Sequence, residues 1–194
     1  DLMKGVYSKI VVFSDANTMY DAQAIRQLTA PFANHRIGVV IGNLDLRNPQ
    51  SAEACRTEGA YWRYENAVKA AESVFAAVPA VNGGIFAVRR ELYESLPAQA
   101  ITEDQVLGMK IMTRGYRCCQ AVEAHAWEYV SDWRGEMRRR IRISAGNFQS
   151  LWLVRGILNP LLGRIWFTFV SHKLLRWLAP FCLALMLVAN TLLA

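Results

Sequence analysis

The sequence predicts an α/β domain that is followed by a basic amphipathic segment and an apolar tail. Short apolar runs alternate with longer stretches of helical periodicity, which favours a mostly parallel sheet flanked by helices. The 194 residues are 53% hydrophobic, which excludes a disordered chain. Residues 178–194 carry no charged side chain, and this sets the tail apart from the α/β part.

The first half of the chain predicts strands that alternate with helices. Runs rich in Ile and Val indicate the strands, and apolar residues at helical spacing indicate the helices. The longer helix is predicted from the apolar stripe of Tyr61, Tyr64, Val68, Ala71 and Phe75. In chain order the predictions are a strand at 10–13, a helix over 24–28, a strand at 37–41, a surface loop at 44–57 and a helix at 58–77.

The second half predicts one more strand and then mainly helices. Thr102 is expected to open a helix, because Gln105 three residues later completes a capping-box pattern. Gly115 is a favourable end for that helix. In chain order the predictions are a turn at 82–84, a strand at 85–88, a short helix at 90–96, the helix from Thr102 to Gly115, an extended segment at 116–130 and a basic amphipathic helix at 135–154.

The formal net charge of +6 is distributed unevenly. Residues 1–133 hold 13 Lys/Arg and 15 Asp/Glu, a charge of −2, whereas residues 134–194 hold nine Lys/Arg and one Asp/Glu, a charge of +8. Nucleic-acid binding is disfavoured, because the body has no extended basic surface. Four cysteines without a C-x-x-C pair disfavour a disulfide framework and a zinc site, and they favour reduced thiols in a cytosolic domain.

The apolar run at 178–194 predicts the start of a transmembrane helix. The basic and aromatic residues that precede it are typical of the positive-inside rule and of an aromatic belt, which places residues 134–177 on the cytoplasmic side. The alternative is a buried core helix. Because the run ends with the chain and the first strand follows closely on Asp1, we expect a fragment of a longer protein.

Asp15 and Asn17 follow directly on the first predicted strand. Ligands of open α/β sheets bind beyond the carboxyl ends of strands, and oxygen-bearing side chains there can hold Mg²⁺ or Mn²⁺. The alternative is an Asx turn, in which both side chains bind only nearby backbone.

Glu103 and Asp104 stand at the start of the helix that Thr102 opens. A carboxylate on such a rigid mount is suited to be a general base, and the helix dipole would tend to keep it ionised. The alternative is that both are ordinary first-turn acids, which the positive end of the dipole favours.

The arginines at 138–142 allow three interpretations. They could form a solvated helix face, the polar side of a membrane-surface helix that has Trp152 on its apolar side, or a clamp for phosphate oxygens. The last two are compatible with each other.

Taken in order, these features resemble the family 2 glycosyltransferases. The closest resemblance is to the membrane-bound branch with cellulose, chitin and hyaluronan synthases and bacterial exopolysaccharide transferases. A helix that starts with T-E-D about 90 residues after a D-x-D-like motif is far more specific than either motif alone. The matching stretches are VVFSDANTMY (11–20), VNGGIFAVRRELY (81–93), ITEDQVLGMKIMTRGYR (101–117), RRRIRISAGNFQSL (138–151) and SHKLLRWLAPF (171–181).

The resemblance implies a partial GT-A fold, with a mixed sheet that lacks the family's first strand and helix. Asp15 matches the first Asp of the D-x-D motif, which holds a divalent cation, and Asn17 replaces the second. Asp104 matches the catalytic base, with Glu103 beside it. Arg139 and Arg142 stand at the Gln and Arg of a degraded Q-x-x-R-W motif, while Gln149, Gly83 and Gly84 are further expected substrate-binding residues.

The implied protein is an inverting glycosyltransferase that uses Mg²⁺ or Mn²⁺. It moves a sugar from a nucleotide-sugar, expected to be a UDP-sugar, to a glycan or lipid-linked acceptor at the cytoplasmic face of the inner membrane, in polysaccharide synthesis. The alternative is a non-catalytic, membrane-associated remnant that binds a glycan or a partner. A dinucleotide-dependent enzyme is disfavoured, because no G-x-G-x-x-G motif follows a strand. The expected divisions are a catalytic domain at 1–133, interfacial helices at 134–177 and a membrane helix from 178.

Overall fold

The computed structural model of the chain describes residues 2–47, 54–75, 77–129 and 133–193. It confirms an α/β architecture in which helices flank a mixed sheet. Short 3-10 turns connect several of the elements. The elements in chain order are β1 (Ile10–Phe13), β2 (Met19–Tyr20), α1 (Ala24–Thr29), β3 (Ile37–Arg47), α2 (Ala54–Phe75), β4 (Phe86–Arg89), α3 (Glu103–Thr113), β5 (Arg117–Tyr129), α4 (Trp133–Leu153), α5 (Arg164–Thr168) and α6 (Leu175–Leu193).

The described strands form one sheet in the order β1-β4-β3-β5-β2. The β3–β5 pairing is parallel, and the β1–β4, β3–β4 and β2–β5 pairings are antiparallel. The prediction of a mostly parallel sheet from the residues was therefore wrong, while the mixed sheet that the resemblance implied is confirmed. A short buried apolar run looks the same in both kinds of sheet, because periodicity carries no information about strand direction.

Two hydrophobic clusters cover opposite faces of the sheet. The first packs buried side chains of β3 and β4 against α3, and it includes Val154, Ile157 and Phe169 from the segment after α4. The second packs the other face against Ala24 and Leu28 of α1. The segment that follows α4 therefore belongs to the domain's core.

Several boundaries differ from the sequence prediction. β3 continues to Arg47 through a predicted loop, because residues 43–47 pair with β5. Residues 54–57 of the predicted loop belong to α2, and residues 48–53 lie outside the described residues. The predicted helix at 90–96 is a 3-10 turn over Arg90–Leu92, and the two-residue strand β2 was not predicted.

Helix α2 buries a charged face. Glu65, Lys69 and Glu72 are 4–8% exposed, whereas Tyr64 and Phe75 of the predicted apolar stripe are 64% and 47% exposed. The stripe correctly indicated a helix but suggested the wrong buried side. The reason is tertiary, because the helix packed against this side presents His172 and Arg176.

The C-terminal helix runs continuously over Arg164–Leu193, with a π-helical segment at Phe169–Leu174. Its first part packs on the domain. The side chains of residues 178–193 are all exposed, so this run is not part of the core of the described chain. By length and composition the helix is apolar enough to cross a membrane.

Candidate active site

The carboxylates of Asp15 and Asp104 converge on Gly83. A Cβ atom placed on Gly83 would lie 3.3 Å from Asp104 Oδ2 and 3.6 Å from Asp15 Oδ2. The register explains how they meet, because Phe13 pairs with Phe86 and brings the end of β1 beside the start of β4. The fold thus joins three residues that the sequence analysis had selected independently.

Asp104 is held in place by backbone donors. Burial raises the pKa of its carboxyl, the neighbouring charge of Asp15 raises it further, and hydrogen bonds from the N–H groups of Gln105 and Gly83 oppose the rise. Burial thus outweighs the dipole effect that we expected to keep Asp104 ionised. A raised pKa makes the carboxylate a stronger base than an exposed aspartate.

The start of α3 is not fixed by the expected capping box. Thr102 makes no side-chain cap hydrogen bond, and its hydroxyl oxygen is buried without a partner among the described residues. Gln105 instead accepts from the N–H of Val81 at 3.3 Å and donates to the carbonyl of Pro79 at 3.0 Å. Because its amide is used there, it cannot reach back to Thr102, and it anchors α3 to the segment that leads to Gly83.

Gln149 also anchors this region. Its Oε1 accepts from the N–H of Ile101 at 2.8 Å, and its Nε2 donates to the carbonyl of Gln99 at 3.0 Å. Gly146, one turn earlier on α4, lets α4 lie close to Thr102 at the start of α3. A Cβ atom at position 146 would be only 2.5 Å from Thr102 Cγ2. Gln149 lies outside the residues that line the cleft. Its amide fixes the segment that enters α3.

Residues 15–18 form a turn, with the N–H of Thr18 bonded to the carbonyl of Asp15 at 3.2 Å. The Thr18 hydroxyl donates to the buried carboxylate of Glu128 on β5 at 2.5 Å. Gly84 packs on the same group, since a Cβ there would lie 2.6 Å from Glu128 Oε1. Asn17 is exposed and lies outside the cleft lining. Glu128 was not predicted as a site residue, because its position in an extended segment does not distinguish it from neighbouring residues.

A cleft of roughly 950 Å³ connects the acids with basic residues of α4. Asp15, Gly83, Glu103 and Asp104 line it together with arginines of α4. Of the expected site residues, Asn17, Gly84 and Gln149 lie outside this lining. The arginines are Arg139, whose Nη1 lies 3.6 Å from Glu136 Oε2, and Arg142.

The cleft is also lined by Lys69 of α2 and by Lys173 and Arg176 of the C-terminal helix. Burial lowers the pKa of Lys69, and the charges of Glu65 and Glu72 oppose this. None of these three residues was predicted to belong to a site. The spacing of 65, 69 and 72 on one helix face was an available signal.

The residues at Gly83 fit a divalent cation in a limited way. The carboxylate of Asp15 faces the space beside Gly83, which a side chain at position 83 would narrow. A magnesium-type ion that is bound to a diphosphate needs few protein oxygens. Among the described residues, no group of three or more His, Cys, Asp or Glu side chains is arranged to hold a metal by itself. The donor set therefore suits an ion that is carried in with a phosphate ligand.

Comparisons with known proteins identify a family and a shared fold. The profile of the family described as "Glycosyltransferase like family 2" matches residues 1–146. No curated protein sequence matches the chain.

Among solved structures, a mannosyltransferase (PcManGT) from Pyrobaculum calidifontis, in complex with GDP-Man and Mn²⁺, shares the fold. It superposes with a TM-score of 0.67 at 21% identity, and the match covers 97% of this chain and 52% of the other. The chain therefore spans about half the length of this neighbour. A mycobacterial protein, with a TM-score of 0.43, 18% identity and coverage of 79% and 49%, is too distant to support an argument.

Proposed function

The chain belongs to the glycosyltransferase-like family 2, and on this premise we propose that it transfers a sugar from a nucleotide-sugar to an acceptor hydroxyl with inversion. The convergence of Asp15 and Asp104 on Gly83 within one cleft is the observation that carries this proposal. The donor sugar lies between the base and the diphosphate, so these two sites must be about one sugar's length apart. Both carboxylates lie beside Gly83, which is compatible with this requirement.

Asp104 acts as the general base. Its carboxylate removes the proton from the acceptor hydroxyl as the oxygen attacks the anomeric carbon from the face opposite the diphosphate. The bond between that carbon and the diphosphate oxygen breaks, and the nucleoside diphosphate leaves with the bonding electrons. The backbone N–H of Gly83 bonds the same carboxylate, which keeps it aimed during proton transfer.

Asp15 would hold the divalent cation. A role for Asn17 as a second ligand of the cation remains a prediction. When bound, the cation neutralises charge on the leaving diphosphate. Arg142 and Arg139 line the cleft and supply further positive charge for phosphate oxygens. We expect Glu103, which lines the same cleft, to lie at the acceptor end.

We further propose that the protein works at the cytoplasmic face of a membrane, as in the membrane-bound branch of the family. Ile141 and Trp152 of α4 are 63% and 71% exposed. Phe148 of α4 contacts Trp177 and Phe181 of the C-terminal helix, with ring centroids 6.3 and 5.9 Å apart. The apolar sides of both helices thus adjoin and can rest on one lipid surface.

The test is a transfer and donor-hydrolysis assay of the full chain with Mn²⁺, using UDP-sugars and GDP-mannose in parallel. GDP-mannose is included because the structural neighbour was solved with it. Asp104→Asn should abolish transfer while nucleotide-sugar binding persists. Persistent transfer by this variant would remove Asp104 as the base, and a wild-type chain that binds donors without turning them over would favour the non-catalytic alternative.

A further inference from the structure

The phenol of Tyr20 lies between the two backbone segments that form the candidate active site. Its oxygen is 3.0 Å from the carbonyl oxygen of Gly84 and 3.3 Å from that of Phe13, and it also hydrogen-bonds the side chain of Ser14. One side chain therefore contacts the segment that leads to the strand-end carboxylate and the segment that follows the glycine turn.

Tyr20 reaches this point from the other side of the sheet order. It belongs to β2, which pairs with β5, whereas Phe13 ends β1. In a flat sheet of five strands the outer two would lie about 19 Å apart, yet here the hydroxyl of one outer strand bonds the end of the other. The sheet therefore curls so that its two outer strands meet beside the site, and the phenol joins them there.

The β1–β4 ladder holds the strands but stops short of the site. Its last pair is Phe13 with Phe86, and Asp15 and Gly83 lie beyond that pair. The ladder does not depend on the hydroxyl of Tyr20. Past its end, the hydroxyl ties the segment before Asp15 and the residue after Gly83 to one point, so its loss should disturb the spacing of the site more than the fold.

The phenol keeps the proton that these contacts need. Burial raises the pKa of Tyr20, the hydrogen bond with Ser14 opposes this, and the charges of Asp15 and Glu128 raise the pKa further. A carbonyl oxygen can only accept, so the phenol donates to it. Because a phenol has one proton, the closer carbonyl, that of Gly84, takes the stronger share.

We propose that Tyr20 is a positioning residue, whose hydroxyl sets the distance between the Asp15 carboxylate and the Gly83 N–H that bonds Asp104. This rests on the proposed function, in which these two carboxylates hold the cation and remove the proton. Tyr20 lies outside the residues that line the cleft, so it acts through the backbone and does not touch the substrate. A misplacement of about 1 Å in such a site can reduce turnover about 100-fold.

The test compares Tyr20→Phe with the wild-type chain. The variant keeps the ring that packs against the core on the α1 side and loses only the hydroxyl. Binding of Mn²⁺ in the presence of GDP or UDP, read from the electron paramagnetic resonance signal of free Mn²⁺, should weaken about tenfold, because groups that orient a ligand carboxylate have effects of this size. In the transfer assay, kcat should fall about tenfold, and KM for the donor should change less.

Tyr116→Phe is the matched control, because Tyr116 is also half-buried but lies outside the cleft lining. It should bind Mn²⁺ and turn over as the wild type does. Urea unfolding shows whether each variant folds cooperatively. A folded Tyr20→Phe with wild-type affinity for Mn²⁺ would overturn the inference. A Tyr20→Phe chain that did not fold would also overturn it, since the hydroxyl would then be needed for the fold.

The Mn²⁺ measurement separates this inference from the proposed function, because it requires no turnover. If Mn²⁺ bound less tightly to Tyr20→Phe than to a wild type that transferred no sugar, the positioning role would stand and the enzymatic proposal would fail. If the wild type transferred sugar and Tyr20→Phe bound Mn²⁺ equally well, only the positioning role would fail. A wild type that did not bind Mn²⁺ would remove Asp15 as the residue that holds the cation, and this inference with it.

Discussion

At the scale of single residues, the candidate site depends on where two carboxylates meet. Asp15 and Asp104 are each unremarkable in the sequence, because a strand-end Asp often forms an Asx turn and a first-turn Asp often serves the helix dipole. Their shared approach to Gly83 changes that assessment. Burial then gives Asp104 a raised pKa, which suits a base and costs stability.

Asp104→Asn should therefore raise the thermal midpoint at pH 7 while abolishing transfer. The folded protein binds a proton at Asp104 more tightly than the unfolded chain does, so the stabilising neutral form is lost as pH rises through the folded pKa. Thermal melts of both proteins from pH 3 to pH 8 should show their difference shrinking as pH falls. An Asn variant that is less stable at pH 7 would contradict the burial argument.

Glu128 is expected to position the turn that carries Asp15. Glu128→Ala leaves the buried Thr18 hydroxyl without its partner and should destabilise the fold by about 1–3 kcal/mol. Glu128→Gln preserves an acceptor for the Thr18 hydroxyl and should retain stability. Its KM for Mn²⁺ should differ from that of the wild type, and its kcat should change less. Glu123→Gln, at an exposed site on the same strand, serves as the control. An unchanged KM for Mn²⁺ in Glu128→Gln would leave Glu128 with a purely structural role.

At the scale of elements, the close contact of α4 with the start of α3 fixes the candidate base. Gly146 permits this contact, and Gln149 ties down the segment before Thr102. From the family resemblance, Gln149 was expected to bind substrate. The structure gives its amide two backbone partners, the N–H of Ile101 and the carbonyl of Gln99, through which α4 holds the segment that leads to Asp104.

Gly146→Ala should push Thr102 aside and lower both stability and activity. Overpacking of this kind costs about 1–3 kcal/mol, and the displaced helix start should reduce kcat more than donor affinity. Urea unfolding and steady-state kinetics measure the two effects. Gly156→Ala is the control, because a Cβ there would lie 3.4 Å from Thr113 Cγ2, an ordinary contact. Wild-type kcat in Gly146→Ala would show that this contact does not position Asp104.

At the scale of the whole molecule, the slightly acidic body, the basic helices and the apolar tail succeed one another along the chain. The −2 of residues 1–133 belongs to the body with the sheet, and the +8 of residues 134–194 belongs to α4, the C-terminal helix and Arg155 in the turn between them. Part of that positive charge lines the cleft and does not lie on an outer face. The body, α4 and the C-terminal helix therefore line one cleft together.

Ile141→Glu should weaken binding of the full chain to vesicles of neutral and anionic phospholipids, because it buries a carboxylate against lipid. Vesicle flotation measures this. Ile25→Glu is the matched control, since Ile25 is also 55% exposed but lies on α1. If both variants floated like the wild type, α4 would not rest on the lipid surface.

The sequence by itself determined the α/β class, the T-E-D helix start, the D-x-N turn and the uncharged tail, because local composition and periodicity decide these. Only the tertiary structure decided strand directions, the buried side of α2 and the convergence of residues 15, 83 and 104. A periodic pattern indicates whether a segment is a helix or a strand, but it does not indicate which other segment packs against it. The charged face of α2 is buried because another charged helix meets it. The spacing of residues 65, 69 and 72 indicates that they share one helix face, but it does not indicate which distant segment packs there.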